Sequence, residues 1–377
     1  MAAAAIVLCA AGWLLYQHTQ TKPLPSPLAS SSQTGSTNET IIDASPPSQK
    51  LVYGFLPFWN LSEAQLHPSV THLAYFGLEV GEDGSLLKKD TQGYLLPGYN
   101  QLDSENLTQF KQQITANGGR MELVLVQTDN ELIEQMVNSP QARQNLIDSI
   151  NSLLLAYPVS GINIDIEYQG QAEAKLRSNF TQLNRDLDHH LESSFKQTQL
   201  SVDLYAAAAE DTMLWDVAAL SQHVDYLIVM AYDFHQRSSQ QSGPIAPLFA
   251  KTGSPEANIH HHLRQLLAKV PREKVLLGIP FYGYEWQTET RTPQANTYPG
   301  TGATASYKRV LGILDQTDGL EVETGWDNQT LSPYLSYIKD DKTYQVYYEN
   351  PASLKFKLEY VNQLDLAGIA IWALGYE

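Results

Sequence analysis

The fold is decided by the stretch VSGINIDIEYQG, residues 159–170, in which apolar and polar side chains alternate. Successive side chains of a β-strand point to opposite faces, so Asn163, Asp165 and Glu167 share one face while three isoleucines share the other. Two carboxylates this close repel each other, and the pKa of at least one of them rises. The stretch therefore predicts a buried strand that carries an acid–base site.

Seven further apolar runs, several of them separated by amphipathic segments, predict a parallel (β/α)8 barrel, also called a TIM barrel. The eight predicted strands cover residues 51–58, 71–80, 121–128, 161–167, 199–207, 224–232, 274–284 and 366–374. A doubly wound open sheet is the structural alternative. The sequence has no glycine-rich phosphate-binding loop after any of these strands, which weakens that alternative.

The barrel domain is predicted over residues 51–377, with a small α+β insertion at 286–347 between strands 7 and 8. The insertion is predicted because the interval between these strands is too long for one helix. The sequence offers no helix after the eighth strand, so either it is a fragment or this edge of the barrel is covered in another way.

Two segments precede the barrel. Residues 1–16 are almost entirely apolar, which predicts a membrane anchor or an atypical export signal, with a misassigned start codon as the alternative. Residues 17–50 are rich in Ser, Thr and Pro and predict a disordered linker. Together they predict an exported protein that acts at the cell surface or from a membrane anchor, outside the cytoplasm.

The composition excludes several function classes. Asp and Glu total 41 against 24 Lys and Arg, so the formal net charge is −17. This balance argues against a nucleic-acid partner or an anionic membrane surface, which both require basic patches, and is compatible with a neutral or cationic polymer. The single cysteine, Cys9, excludes an intramolecular disulfide framework and a cysteine-rich zinc site.

Polar and aromatic residues lie at the carboxyl ends of other predicted strands, where barrel enzymes carry their active sites. MAYDFH, residues 230–235, ends the sixth strand with Met230 and Tyr232 on one face and Asp233 just past it, and Trp372 lies near the end of the eighth. A buried polar layer that stabilises the barrel is the alternative interpretation. The cost of burying an unpaired acid pair favours a functional site.

Several motifs occur in the order found in glycoside hydrolase family 18. The run from Ser160 to Glu167 resembles the Asp-Gly-x-Asp-x-Asp-x-Glu signature of that family. YGFLPFW (53–59), MAYDFH, GIPFYGYEW (278–286) and GIAIWALGYE (368–377) resemble its other strand motifs, so the resemblance covers residues 51–377. Ser160 and Asn163 depart from the signature, which often has aspartates there. We expect Asn163 to hydrogen-bond Asp165 without adding negative charge, which could shift the pH profile.

The resemblance implies a substrate-assisted reaction, in which the acetamido oxygen of the substrate attacks its own anomeric carbon. It implies that Glu167 protonates the glycosidic oxygen and then activates water, and that Asp165 stabilises the oxazolinium cation. Tyr232 would hydrogen-bond the acetamido oxygen, Asp233 would support the distorted sugar, and Trp372 would stack beneath it. The resemblance implies no metal and no organic cofactor.

Further substrate contacts are expected from Asn163, Met230, Phe55, Trp59 and Tyr282. A broader set of aromatic residues could stack on sugars, with packing as the alternative for about half of them. This set is Tyr53, Phe58, Trp59, Tyr75, Tyr282, Tyr284 and Trp286.

The sequence thus predicts a monomeric glycosidase that cleaves β-linked N-acetylglucosamine polysaccharides. Peptidoglycan is favoured over chitin because of the predicted tether, the lack of a separate chitin-binding module, and first- and last-strand motifs resembling those of spore-wall and cell-wall hydrolases. A non-catalytic, lectin-like protein on the same fold is the alternative, although such relatives typically lose the glutamate that this chain retains as Glu167. A membrane-bound scaffold is a third, weaker possibility.

Overall fold

The computed structural model describes residues 50–251, 257–315 and 320–377. The predicted anchor, and the predicted linker apart from Lys50, lie outside these residues. Within the described ranges, no helix combines the length and the apolar character that crossing a bilayer requires.

Eight parallel strands close into a barrel, which confirms the predicted (β/α)8 fold. The strands are β1 (Leu51–Pro57), β2 (His72–Glu79), β3 (Arg120–Gln127), β4 (Gly161–Ile166), β5 (Gln199–Tyr205), β6 (Tyr226–Met230), β7 (Val275–Pro280) and β13 (Gly368–Trp372). Their order around the barrel is β1-β13-β7-β6-β5-β4-β3-β2.

Helices alternate with most of these strands, as a (β/α)8 fold requires. They are α1 (Pro97–Asn100), α2 (Glu105–Ala116), α3 (Asn130–Asn138), α4 (Pro140–Ala156), α5 (Ala174–Ser194), α6 (Val217–Leu220), α7 (Ile259–Leu267), α8 (Tyr307–Asp315) and α9 (Pro351–Gln363). Local sequence explains several helix starts. Ser139 caps α4 by accepting a hydrogen bond from the amide of Ala142, and Pro140 occupies the first turn, where its missing N–H costs nothing.

The alternation predicted for the fourth strand is present. Ile162, Ile164 and Ile166 are at most 1% exposed and belong to the large apolar core that includes residues of the surrounding helices. Asn163 and Asp165 occupy the alternate positions and are also buried. A smaller apolar cluster, from six of the eight barrel strands, contains Tyr53, Phe55, Ala74, Val124, Ile228, Leu276 and Ala370.

A five-stranded antiparallel sheet with one helix, α8, is inserted between β7 and β13. Its strands are β8 (Tyr282–Thr288), β9 (Ala303–Ser306), β10 (Glu321–Asp327), β11 (Ser332–Lys339) and β12 (Lys342–Tyr347), in the order β10-β11-β12-β8-β9. The sheet begins at Tyr282, ahead of the predicted start at residue 286. The predicted seventh strand is in fact two strands, because β8 leaves the barrel and pairs with β12 and β9.

In the described part of the chain, the residues after β13 form no helix. They cross the carboxyl end of β1 instead, since the amide of Leu374 donates to the carbonyl of Phe55 and the side chain of Asn60 donates to the carbonyl of Leu374, at 2.9 and 2.8 Å. Gly54 makes room for this crossing, because a Cβ there would lie 2.9 Å from the side chain of Leu374.

Candidate active site

Glu167 follows directly after β4, at the mouth of the barrel, and is half-buried. Its Oε2 accepts a hydrogen bond of 3.0 Å from the hydroxyl of Tyr205 on β5. Burial raises the pKa of the Glu167 carboxyl and the nearby charge of Asp233 raises it further, whereas the Tyr205 hydrogen bond lowers it. The net effect is a raised pKa, which suits a group that must donate a proton.

Asp165 lies one step deeper on the same face of β4 and is 3% exposed. Its Oδ1 is buried without a hydrogen-bond partner among the described residues. Burial raises the pKa of Asp165 well above its usual value, and the charges of Asp203 and Glu167 raise it further. Asp165 therefore keeps a proton to higher pH than a solvated aspartate does.

The expected hydrogen bond from Asn163 to Asp165 is wrong. Asn163 Nδ2 donates instead to Ser201 Oγ and to Asp203 Oδ1, both at 2.9 Å. The reason is the register of the barrel, which pairs Asn163 with Ser201 on β5. Asn163 is 0% exposed, so it links two strands below the mouth rather than presenting a surface to a substrate.

Tyr232 and Asp233 follow β6 at the same mouth. Burial raises the pKa of the Tyr232 hydroxyl well above its usual value, and the acidic neighbours Asp203 and Asp165 add to the effect, so the hydroxyl keeps its proton as a hydrogen-bond donor. Asp233 adopts a φ of 61°, a conformation uncommon for a residue with a side chain. Its Oδ1 accepts hydrogen bonds from the hydroxyls of Tyr282 and Tyr284, the latter at 2.9 Å.

Those two tyrosines belong to β8, so the insertion fixes Asp233 at the barrel mouth. Burial raises the pKa of the Asp233 carboxyl, while the hydrogen bonds from Tyr282 and Tyr284 and the charge of Arg237 lower it. Tyr282, expected as a substrate contact, is 6% exposed and uses its hydroxyl on Asp233. Its contribution in this structure is support of Asp233.

An aromatic group lies on the other side of the barrel from the acids of β4, because β13 is four strands away from β4 in either direction. The Trp372 ring lies 4.8 Å from the ring of Phe76, 5.7 Å from Phe55 and 6.5 Å from Trp59, measured between centroids. Trp59 is 45% exposed, and its Nε1 donates to the hydroxyl of Tyr376 at 3.3 Å. Phe55 is only 3% exposed, so it packs against Trp372 and offers little surface to a sugar.

The other residues that were expected to contact a sugar are either half-buried or fully buried. Met230 ends β6 and is half-buried, as is Phe58. Tyr53, Tyr75 and Trp286 are 0% exposed and pack in the core, so the sugar-stacking hypothesis is wrong for these three. Their polar atoms bond to other protein groups; the Tyr75 hydroxyl, for example, donates to the carbonyl of Gly98 at 2.7 Å.

Sequence reasoning missed the contribution of β5 to the site. Ser201, Asp203 and Tyr205 alternate along QLSVDLY and share the face that looks toward Asn163 and Glu167. This is the same period of two that identified Asp165 and Glu167. The signal was therefore present in the sequence.

Comparison with known proteins gives a family and several relatives. The model of glycosyl hydrolases family 18 matches residues 28–377. YdhD of Bacillus subtilis, named as a sporulation-specific glycosylase, is 27% identical over 65% of this chain and 54% of its own length. A class V chitinase of Arabidopsis thaliana is 26% identical over 66% of each chain. The chain thus spans about half of the first relative and two thirds of the second.

Solved structures share the fold. The group IV chitinase of Ostrinia furnacalis in complex with allosamidin superimposes with a TM-score of 0.73 at 23% identity, covering 87% of this chain and 92% of the other. A class V chitinase of Nicotiana tobaccum in complex with NAG4 gives a TM-score of 0.72 at 18% identity, covering 87% and 95%. With the family model matched over most of its length, this chain belongs to glycosyl hydrolase family 18.

Proposed function

We propose that the protein hydrolyses β-linked polysaccharides containing N-acetylglucosamine, with Glu167 as the general acid and base. The observation that carries the proposal is the half-buried carboxyl of Glu167 at the barrel mouth, which accepts a hydrogen bond from the Tyr205 hydroxyl. Burial raises the pKa of this carboxyl. A general acid must be protonated at the working pH and free to reach the leaving oxygen. Membership of family 18 supports the same chemistry.

The reaction that fits these residues is substrate-assisted and retains the anomeric configuration. Asp165 and Glu167 are two residues apart on one strand, about 6.6 Å at the usual rise, so both approach the sugar from the same side. Asp233 already accepts two tyrosine hydroxyls. Neither aspartate is positioned as an independent nucleophile, which leaves the acetamido oxygen of the substrate.

The first step forms a bond from the acetamido oxygen to the anomeric carbon and breaks the glycosidic bond, whose oxygen takes the proton of Glu167. Asp165 accepts the acetamido N–H, and Tyr232 donates to the acetamido oxygen. In the second step, water gives a proton to Glu167 and its oxygen replaces the acetamido oxygen at the anomeric carbon. Trp372 stacks on the apolar face of the sugar throughout.

The insertion offers space for a polymer beyond a single sugar. A cavity of about 610 Å3 is lined by residues of the insertion, among them Glu285, Thr301 and Arg309, and by Tyr376. Tyr376 also contacts the mouth, since its hydroxyl accepts from Trp59. Hydroxyls, an arginine and an aromatic ring are groups that bind sugars and acidic substituents of sugars.

Peptidoglycan is the proposed substrate and chitin the second candidate. The predicted tether and the similarity to YdhD, a sporulation-specific glycosylase by name, favour peptidoglycan. Similar proteins that are named chitinases favour chitin. Mass spectrometry of the products from purified peptidoglycan and from chitin oligomers separates the two, with Glu167→Gln as the inactive control. Binding of both polymers without any cleavage would overturn the proposal and favour the lectin-like alternative.

A thiazoline analogue of N-acetylglucosamine tests the mechanism, because it resembles the cyclised intermediate and catalytic sites bind such species more tightly than substrates. We expect it to inhibit at concentrations at least ~100-fold below those at which N-acetylglucosamine does. Glucosamine oligomers, which lack the acetyl group, should not be cleaved. Efficient cleavage of these oligomers without thiazoline inhibition would contradict the substrate-assisted step.

We also propose that the protein acts outside the cytoplasm, held near the membrane by residues 1–16. The apolar character of that segment and the polar composition of residues 17–50 support this. Fractionation of cells that express the full chain should recover it with membranes and accessible to external protease. Recovery in the cytoplasmic fraction would contradict the proposed location.

A further inference from the structure

A chain of hydrogen bonds runs through the barrel interior beneath the acids. The Tyr53 hydroxyl and the Ser201 hydroxyl both donate to Glu122 Oε2, at 2.7 and 3.1 Å. Asn163 Nδ2 then donates to Ser201 Oγ and to Asp203 Oδ1, both at 2.9 Å. All five side chains belong to residues that are at most 3% exposed. The chain therefore connects β1, β3, β4 and β5 away from solvent.

Asp203, at the upper end of this chain, is a neighbour of Asp165. Ile164 on β4 pairs with Val202 on β5, so the next residues, Asp165 and Asp203, lie side by side on the inner face. Adjacent strands are about 4.8 Å apart. Two buried carboxyls on neighbouring strands at the same level do not both ionise at moderate cost, so we expect the pair to share one proton and to titrate as a unit.

No cation among the described residues forms an ion pair with this unit. Burial raises the pKa of both aspartates, and the charge of Glu167 raises both further, while the Asn163 hydrogen bond lowers the pKa of Asp203 alone. The titratable groups that act on the pair are Tyr53 from β1, Glu122 from β3, Glu167 from β4, Tyr205 from β5 and Tyr232 after β6, while Asp233 acts on Glu167 and Tyr232. Asn163 donates a hydrogen bond to Asp203 Oδ1, which favours the ionised form of Asp203, whereas Asp165 Oδ1 has no partner among the described residues. On this geometry we assign the shared proton to Asp165.

The interior is also built to accommodate these carboxyls. At Gly161 a Cβ would lie 2.6 Å from the carboxyl carbon of Glu122, so the glycine makes room for that group. Glu122 Oε1, Asn163 Oδ1 and Asp165 Oδ1 are buried, and none has a hydrogen-bond partner in the part of the chain that the structure describes. Unsatisfied buried polar groups destabilise a fold, so their presence here favours a functional role.

We infer that Asp203 is the proton partner of Asp165 during catalysis, with Asn163 as the neutral bridge that holds Asp203 in place. As positive charge develops on the substrate, the proton passes from the Asp165 carboxyl to the Asp203 carboxylate, and Asp165 becomes the anion that the cation needs. Asp203 thereby supplies, from β5, the carboxyl that the family signature often has at position 163. Asp203 is a positioning residue, and this inference rests on the proposed hydrolase activity.

The test exchanges the two groups. Asp203→Asn removes the proton partner, Asn163→Asp adds a second one, and the double variant moves the carboxyl from β5 to β4 while keeping net charge, volume and an N–H···O hydrogen bond. We expect Asp203→Asn to lower kcat at least ~10-fold and to change the pH profile of kcat, with KM within about twofold. The double variant should recover kcat to within about threefold of the wild type.

Asp188→Asn is the matched control, because Asp188 lies on α5, outside the barrel, beside His223. It should leave kcat and the pH profile unchanged. Circular dichroism and thermal unfolding verify that each variant is folded. Wild-type kcat and pH profile in folded Asp203→Asn would overturn the inference, and so would a folded double variant that is as slow as Asp203→Asn.

A second readout does not need activity. In protein carrying 13C-labelled aspartate carboxyls, NMR should resolve a coupled titration of Asp165 and Asp203, and Asp203→Asn should shift the titration of Asp165. An unshifted Asp165 titration would overturn the pairing. If the wild type cleaves no substrate while the coupled titration is present, the proposed hydrolase activity fails and the pairing stands.

Discussion

Two regions of the molecule bury carboxyls, and they treat the charge in opposite ways. On α9, Lys357 Nζ lies 2.7 Å from Glu349 Oε2, with the two residues 0% and 6% exposed. Inside the barrel, Asp165 and Asp203 are equally buried, and the charges around them are those of other acids.

The contributions to the pKa of the buried carboxyls differ between the two regions for this reason. Burial raises the pKa of Glu349, and the charge and hydrogen bond of Lys357 lower it. At Asp165 every contribution raises the pKa. The Glu349–Lys357 pair therefore serves structure, because each charge has a partner, whereas the barrel acids retain an unbalanced charge that only a developing cation on the substrate can balance.

The largest expected effect is a loss of stability when the Glu349–Lys357 pair is broken. Lys357→Met leaves Glu349 buried without its cation, so we expect the free energy of unfolding to fall by about 3–5 kcal/mol. The measurement is the midpoint of urea unfolding. Lys355→Met is the control on the same helix, since Lys355 has a side chain 75% exposed and lies 3.9 Å from Glu359; it should cost less than about 1 kcal/mol.

The double variant Lys357→Met with Glu349→Leu should recover most of the lost stability, because it removes both charges. Activity per folded molecule should be unchanged in all three variants. A stability loss from Lys357→Met no larger than that from Lys355→Met would show that the pair does not stabilise the fold, and the contrast between the two regions would disappear.

The next effect is on turnover. Glu167→Gln keeps the shape of the side chain but cannot donate or accept the catalytic proton, so we expect kcat to fall at least ~100-fold, equivalent to about 2.7 kcal/mol. Thermal stability should be unchanged or higher, because the variant removes a half-buried carboxyl whose pKa is raised. Steady-state kinetics and thermal unfolding on the same preparation check both expectations.

The exposed Glu173, just before α5, provides the matched control, and Glu173→Gln should leave kcat unchanged. Near wild-type turnover in Glu167→Gln on an unactivated substrate would show that another group is the acid. A large loss of stability with turnover per folded molecule retained would place Glu167 with the structural carboxyls instead.

The sequence predicted more of the fold than of the contacts within the site. The period of two at residues 162–167 and the run of apolar strands predicted the barrel, because both patterns are local properties of strands. The partner of Asn163 depended on the register between β4 and β5, which no local pattern contains. The same limit explains why Asp203 and Tyr205 were missed although their alternation was visible.

Aromatic residues show the limit again. Trp59 and Trp286 each end a motif that resembles the family's, yet Trp59 is 45% exposed and Trp286 is 0% exposed. Trp286 is covered where β8 meets the loop after β6, and its Nε1 donates to the carbonyl of Gln236 at 3.1 Å. Burial of this kind follows from how the insertion packs on the barrel, so composition could only leave stacking and packing as alternatives.

The smallest expected effect is a change in the pH profile, caused by one hydroxyl. Tyr205 donates to Glu167 at 3.0 Å, and this bond lowers the pKa of the Glu167 carboxyl because it stabilises the charged form. Tyr205→Phe removes the bond, so the pKa of Glu167 should rise. Glu167 acts as an acid while it is protonated, and activity is lost as the pH rises through its pKa. The alkaline limb of the pH profile of kcat/KM should therefore move to higher pH, with a fall in kcat of about fivefold for the loss of about 1 kcal/mol.

Tyr168→Phe is the control. Tyr168 follows Glu167 in the sequence, but its hydroxyl donates to a different carboxyl, that of Glu134, at 2.5 Å. It should leave the limb in place. If Tyr205→Phe moved the limb to lower pH, or if both variants moved it equally, the Tyr205 hydroxyl would not tune Glu167, and burial and neighbouring acids would be left to set the pKa of Glu167.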